Sequence, residues 1–159
     1  MQEHIQRLIA NVNRKKWWHV KPSDPRAYEK RGKFLASSFE EAEFYGRPGD
    51  EPERVRIASP VVGDNDAIER KLLGRVESGP EIRIRNRFAL DRKLRRAALQ
   101  KGYDSIVLMS KPGFQKFKKE GKIPRSLELN VVDLRCLRCE GDSRSARNTT
   151  RHNWGNANT

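Results

Sequence analysis

Apolar positions recur at helical spacing in four stretches of the chain. In the first, one helical face carries Ile5, Leu8, Ile9 and Val12, which is the i, i+3, i+4, i+7 pattern of an amphipathic helix. The other three helices are predicted over residues 39–45, 66–73 and 89–101. Their ends carry local signals. Ser38 precedes Glu41 by the capping-box spacing, and Gly74 and Gly102 stand where left-handed C-terminal residues are expected.

Shorter apolar or alternating runs predict strands between these helices. We expect them at residues 17–21, 34–36, 54–62, 105–109 and 127–134, and residues 81–87 suit a strand or an extended connection. Residues 111–125 form a basic stretch that we expect to be a loop, with a short amphipathic helix as the alternative. The pattern predicts one α+β domain over residues 1–135 and a polar, mobile tail over residues 136–159.

Composition narrows the classes of partner and compartment. The chain has 159 residues, with 34 Lys and Arg against 21 Asp and Glu, so its formal charge is +13. Such an excess favours an anionic partner, because basic side chains displace counterions from phosphates. No apolar run approaches the roughly 18 residues of a spanning helix, and the N-terminus lacks the apolar core of a signal peptide. We therefore expect a cytoplasmic monomer without a membrane partner.

Several short segments stand in an informative order. They are a predicted strand with His19, a strand-to-helix run with Phe34 and Tyr45 eleven residues apart, the phrase Gly-Tyr-Asp-Ser-Ile-Val over residues 102–107, and Glu128-Leu-Asn-Val-Val-Asp133. Together they resemble the diphtheria-toxin-like ADP-ribosyltransferases. That family has a strand histidine, two aromatic residues eleven apart, and a last strand with the catalytic glutamate. The resemblance covers roughly residues 17–134.

The resemblance implies a fold, a reaction and a set of site residues. The fold is an ADP-ribosyltransferase-like split mixed β-sheet with flanking helices around an NAD cleft. The activity is mono-ADP-ribosyl transfer from the co-substrate NAD+, with release of nicotinamide. By this resemblance Glu128 is the catalytic carboxylate, and the rings of Phe34 and Tyr45 grip the nicotinamide. His19 hydrogen-bonds the other ribose, and Lys21 meets the pyrophosphate.

Three positions depart from the family pattern. Val20 follows the histidine where the family usually has glycine, and Phe34 replaces a tyrosine, which keeps the stacking face but loses a hydroxyl. Ser126 stands two residues before Glu128, where the arginine-modifying branch has a second acidic residue. Arginine is therefore a disfavoured acceptor.

In this family the loop before the catalytic strand commonly contacts the target. Here that segment carries Phe114, Phe117, Lys118 and Lys119, and a mixture of cations and rings suits nucleic acid. It suits an acidic face of a nucleic-acid-associated protein equally well. The alternative is that Phe114 and Phe117 pack on the core. Residues 83–101 add a second basic stretch.

Other classes of function stay open. One is a non-catalytic basic nucleic-acid-binding module on a similar fold, and another is RNA 2′-phosphate transfer, which relies on Arg and His motifs that this sequence lacks. Cys136, Cys139 and His152 offer three zinc ligands where a closed structural site needs four. We therefore assign no metal site.

Overall fold

The structure is a computed structural model that describes residues 1–44, 46–49, 51–77 and 86–137. In these ranges the chain forms six helices, four short strands and one 3₁₀ turn, Leu134–Cys136. The helices and strands, in chain order, are α1 (Gln2–Arg14), α2 (Ala27–Arg31), β1 (Lys33–Ala36), α3 (Phe39–Glu43), β2 (Pro60–Gly63), α4 (Asn65–Leu73), α5 (Arg87–Gln100), β3 (Ser105–Leu108), α6 (Lys111–Glu120) and β4 (Glu128–Val131).

The four strands form one mixed sheet in the order β1-β4-β3-β2. β4 lies antiparallel to both of its neighbours, with Glu128 opposite Ala36 on one side and Leu108 on the other. β2 runs parallel to β3 at the edge of the sheet. The last strand of the chain therefore occupies the interior of the sheet, beside the first.

Side-chain alternation along these strands divides the core into two layers. On one face, Leu129 and Val131 belong to a cluster with Leu8 of α1 and Phe117 of α6. On the other face, a second cluster covers the β2–β3 half of the sheet, and its members are Val61, Ile68, Leu72, Leu90, Leu94, Ala98, Ile106 and Val132. The β1–β4 half of this second face borders the cavity described below.

Two predicted strands form isolated bridges instead. Trp18 pairs with Ala36 at the outer edge of β1 through hydrogen bonds of 2.9 and 2.8 Å. Trp17 and Val20 form separate bridges to Glu53 and Pro48, so the segment expected as a strand at residues 17–21 makes isolated bridges. The buried indole of Trp17 donates to the carbonyl of Val12 at 3.0 Å, which ties this segment to α1. Likewise, the segment at residues 54–58 contributes a single bridge, from Val55 to Leu137.

The prediction of a loop at residues 111–125 is wrong, because α6 occupies its first two-thirds, and the alternative of a short amphipathic helix with Phe114 and Phe117 packed on the core is confirmed. Ser110 caps this helix by accepting from the amide of Gly113 at 3.2 Å, and Pro112 lies in the first turn, where a missing amide costs nothing. Gly121 ends the helix at φ +67°. Ser110, Pro112 and Gly121 are typical residues of helix ends and indicate this helix in the sequence. The many lysines between them favour the interpretation as a basic loop.

The remaining predictions divide into three groups. The helices predicted at the N-terminus and over residues 39–45, 66–73 and 89–101 are confirmed as α1, α3, α4 and α5. The four sheet strands are also confirmed: β2, β3 and β4 are shorter than predicted, whereas β1 begins one residue earlier, at Lys33. Helix α2 was missed. The α+β class is confirmed, whereas the split sheet stays a prediction. Tyr45, the segment at residues 81–85 and the tail from residue 138 lie outside the described residues. No helix in the described ranges is both long and apolar enough to cross a membrane.

Candidate functional site

A cavity of about 670 Å³ opens over the β1–β4 half of the sheet. Its walls come from the segment after α1, from α2, from the start of α5 and from the two strands themselves. Four of the predicted site residues line it, namely His19, Lys21, Phe34 and Glu128. Tyr45 lies outside the described residues, although Ala42 and Gly46 on either side of it also line the cavity. The fold thus brings together side chains that are widely separated in the sequence.

Strand register explains how Phe34 and Glu128 come to share one wall. Phe34 and Ala36 lie on the same face of β1, and Ala36 is the direct partner of Glu128 on β4. Ser37 then ties the two strands together: its hydroxyl accepts from the amide of Leu127 at 3.3 Å and lies 2.9 Å from a carboxylate oxygen of Glu41. The residue before Glu128 is therefore held in place by the start of α3.

His19 is held from both sides of its ring. Its Nδ1 lies 2.9 Å from the carbonyl oxygen of Phe34, and its Nε2 lies 2.6 Å from the hydroxyl of Tyr28. A carbonyl can only accept, so Nδ1 carries the proton, and in the neutral ring Tyr28 donates to Nε2. Burial lowers the pKa of His19, which favours this neutral form. Tyr28 itself lines the cavity, so its hydroxyl stands beside His19 at the wall.

A second carboxylate lines the cavity opposite the strands. Asp91 of α5 is 4 % exposed and pairs with Arg87 one turn earlier, with Nε and Oδ1 3.1 Å apart. Burial raises the pKa of Asp91 and the negative charge of Glu128 raises it further, against the opposing effects of Arg87 and Arg31. The cavity is therefore lined by two carboxylates, of which Glu128 raises the pKa of Asp91.

Basic side chains surround these carboxylates. Lys21, Arg31, Arg47 and Arg87 all line the cavity. The guanidinium carbon of Arg31 lies 3.9 Å above the ring centroid of Phe88, which is a cation–π contact. Such a set can hold an anionic ligand that also carries a planar ring, because guanidinium and ammonium groups bind phosphates and aromatic faces bind rings.

Asn130 and Gly32 fix the end of α2 against β4. The side-chain amide of Asn130 donates to the carbonyl of Arg31 at 3.0 Å. Gly32 adopts φ +86° and ψ −177°, a conformation that only glycine adopts readily. A Cβ at this position would meet Oδ1 of Asn130 and would lie 2.8 Å from the carbonyl oxygen of Val131. Glycine therefore lets α2, with Tyr28 and Arg31, approach the sheet closely.

The four residues assigned to target binding lie elsewhere, on α6. Phe117 is fully buried in the first core layer, so its expected role as an exposed stacking ring is corrected to a role in packing. Phe114 is half-buried against the same layer, with the ammonium of Lys118 4.7 Å from its ring centroid. Lys118 and Lys119 are exposed. None of the four is among the residues that line the cavity.

Metal ligands do not gather in the part of the chain that the structure describes, where no three His, Cys, Asp or Glu residues form a group able to hold an ion. Cys136 packs against the first core layer, and burial raises the pKa of its thiol to about 11. A thiol held protonated in this way is a poor ligand at neutral pH. Cys139 and His152, the other members of the considered set, lie outside the described residues.

Several cavity residues were missed by sequence reasoning: Tyr28, Arg31, Arg87, Phe88 and Asp91. The first two lie on α2, which has only five residues and therefore no measurable helical period. The other three occupy the first turns of α5, whose prediction began two residues too late. The signal that could have found Asp91 is a lone acidic residue on the apolar side of a basic helix.

Comparison with known proteins adds no relative to this description. No protein-family model matches the sequence, and neither the curated proteins nor the solved structures contain a match to the chain.

Proposed function

We propose that this protein is a mono-ADP-ribosyltransferase that uses NAD+ as co-substrate and modifies a macromolecular target. The observation that carries the proposal is that His19, Phe34 and Glu128 line one cavity, although they are far apart in the sequence. Each of the three belongs to one of the sequence segments whose order resembles the ADP-ribosyltransferases. The cavity volume of about 670 Å³ falls in the range of small-molecule and cofactor sites.

The lining residues fit the chemistry of that co-substrate. Cleavage of the bond between nicotinamide and ribose develops positive charge on the ribose, and a carboxylate beside that ring lowers the barrier. Glu128 supplies this carboxylate from the interior strand. The Phe34 ring, 38 % exposed, offers an open face to the nicotinamide, and Lys21 offers a cation to the pyrophosphate.

The bonds and protons of the transfer balance without a further reactant. The C1′–N bond of the ribose breaks, and its electron pair leaves with the nicotinamide, which becomes neutral. A lone pair of the acceptor heteroatom forms the new bond to C1′, and the acceptor's proton passes to a carboxylate of the cavity. Glu128 takes that proton as general base in this scheme.

The geometry changes the role expected for His19. Both of its ring nitrogens are engaged, by the Phe34 carbonyl and by the Tyr28 hydroxyl. A ribose hydroxyl on this side of the cavity would therefore meet Tyr28, whose oxygen keeps an acceptor site while its proton points at His19. His19 then acts as a positioning residue that fixes the direction of the tyrosine hydroxyl.

The test measures nicotinamide release and transfer of labelled ADP-ribose by the full chain. We expect the wild type to bind NAD+ and release nicotinamide, and Glu128→Gln to release it about 100-fold or more slowly. Glu120→Gln on the exposed end of α6 is the matched control and should behave as the wild type. Absence of both NAD+ binding and nicotinamide release in the wild type would refute the activity. Equal rates for Glu128→Gln and wild type would refute the assignment of Glu128.

A second candidate is a non-catalytic nucleic-acid-binding module on the same fold. The net charge of +13 and the Arg31–Phe88 stack at the cavity favour it. It differs from the first candidate in requiring no NAD+ binding, and Glu128→Gln should then bind nucleic acid as well as the wild type does.

A further inference from the structure

The cavity opens onto an exposed aromatic ring flanked by cations. Phe88, in the first turn of α5, lines the cavity and is 66 % exposed. A phenylalanine that exposed at a pocket opening contributes little to the core, because the buried members of α5 are Leu90, Asp91, Leu94 and Ala98. The ring is therefore placed where a second ligand, beside the one in the cavity, could contact it.

Arg31 makes this ring part of a stacked pair. Its guanidinium covers the Phe88 ring at 3.9 Å from the centroid, and the ring nevertheless keeps two-thirds of its surface open. A planar base can continue such a stack, because every base has a π-face and guanidinium planes stack on rings. We define the rim as Phe88, Arg31, Arg87 and Arg47.

The charge of the rim favours a polyanion. Three of its four residues are arginines, and all of them line the cavity with Phe88. Asp91, which pairs with Arg87, is 4 % exposed, so it presents little negative charge to an approaching ligand. The whole chain carries +13, which attracts a polyanion to this surface over long range.

We propose that the rim is the docking site of single-stranded nucleic acid, whose bases stack on Phe88 and whose phosphates pair with the arginines. Duplex does not fit this arrangement, since its base faces are covered by neighbouring pairs, whereas single strands expose them. The proposal deepens the proposed function and rests on it for the chemistry: the docked strand presents a base N–H or a sugar O–H as acceptor to the ribose carbon beside Glu128. The docking itself requires no NAD+.

The test measures the affinity of the full chain for labelled single-stranded DNA, single-stranded RNA, the matching duplex and polyglutamate, by fluorescence anisotropy without NAD+. We expect a single strand to bind more tightly than duplex or polyglutamate, and the DNA and RNA arms identify the preferred sugar. Phe88→Ala should weaken binding by about 5- to 150-fold, which corresponds to the loss of one base stack. Because Phe88 is exposed, the circular dichroism spectrum of Phe88→Ala should match that of the wild type.

Two control variants locate the docking surface. Phe44→Ala removes a ring that is 89 % exposed and does not line the cavity, and the pair Lys118→Ala and Lys119→Ala removes two exposed cations of α6. Phe44→Ala should bind the single strand with an affinity within about twofold of the wild type. The double variant of α6 should lose only the affinity that its two charges contribute, which high salt removes. Equal losses for Phe88→Ala and Phe44→Ala, or a larger loss for the α6 pair than for Phe88→Ala, would overturn the rim.

The two proposals fail in different ways. Binding of single strands with neither NAD+ binding nor nicotinamide release would support the rim as a docking site and refute the transferase activity. Nicotinamide release without binding of either single strand would support the transferase and overturn the rim. Preference for duplex or for polyglutamate would also overturn the rim, the latter in favour of an acidic protein.

Discussion

Substituting Gly32 by alanine should destabilise the fold far more than the same change at Gly74. Both glycines have positive φ, +86° and +79°. At Gly74, where ψ is −5°, an added Cβ meets nothing within 4 Å, so the cost is the left-handed conformation alone. That cost is about 1–2 kcal/mol, partly offset by about 0.4–1 kcal/mol from the stiffer unfolded chain. We therefore expect Gly74→Ala to lower the free energy of unfolding by about 1 kcal/mol.

At Gly32 two further costs arise. Its ψ of −177° places it in a region that is nearly restricted to glycine, which costs an alanine about 1–3 kcal/mol. The new Cβ would displace Asn130 and so break its hydrogen bond to the Arg31 carbonyl, leaving buried polar groups unpaired at about 1–3 kcal/mol. With the same offset of about 0.4–1 kcal/mol, the net cost is about 1–6 kcal/mol, with a midpoint of about 3 kcal/mol. Urea denaturation of both variants measures the difference, and losses equal within about 0.5 kcal/mol would refute the close approach of α2 to β4.

Three further substitutions test the packing and electrostatics of the site. Phe117→Ala should lower the free energy of unfolding by about 3–5 kcal/mol, because the ring is fully buried, whereas exposed Lys118→Ala should stay within about 0.5 kcal/mol; a stable Phe117→Ala that loses target binding would contradict this. Tyr28→Phe should weaken NAD+ binding in the proposed transferase, since the cavity wall loses the hydroxyl that His19 orients, and unchanged NAD+ affinity would contradict that contact. Asp91→Asn should be more stable than the wild type at neutral pH. The folded state raises the pKa of Asp91 and so binds its proton more tightly than the unfolded chain, which makes wild-type stability fall as pH rises through that window. The advantage of the variant should shrink as pH falls toward about 4, and a constant advantage in urea denaturation would contradict the shift.

Elements with strong local signals were predictable from the sequence. Helix α4 is the clearest case, because Asp64 caps it, Gly74 ends it, and Ile68 and Leu72 fall on one face. The strands around Val107 and Leu129 were equally clear, since short apolar runs between turn signals have few alternatives. What the sequence could not show is their lateral order, because antiparallel pairing of β4 with both β1 and β3 depends on contacts distant in the chain.

Some residues of the candidate site could likewise be predicted from the sequence, and others could not. His19, Phe34 and Glu128 could be selected because each sits in a motif with a fixed order. Tyr28 and Asp91 could not, since what marks them is the contact with His19 and the shared field with Glu128, which exist only after folding. The error over α6 has a different cause: lysines at exposed positions of an amphipathic helix resemble a basic loop when residues are counted without regard to their face.

The ties between β1 and β4 also govern the order in which the molecule can assemble. Ser37 and Leu127 are 90 residues apart in sequence, and Arg31 and Asn130 are 99 apart. Contacts of such separation form late and slowly, because a long loop must close before they contribute. A nascent chain that has not yet reached Val131 has His19 and Phe34 but lacks the strand that carries Glu128. The cavity is lined by residues of both β1 and β4, so it forms only in a chain that already includes β4. A ligand that contacts both strands therefore binds only to such a chain.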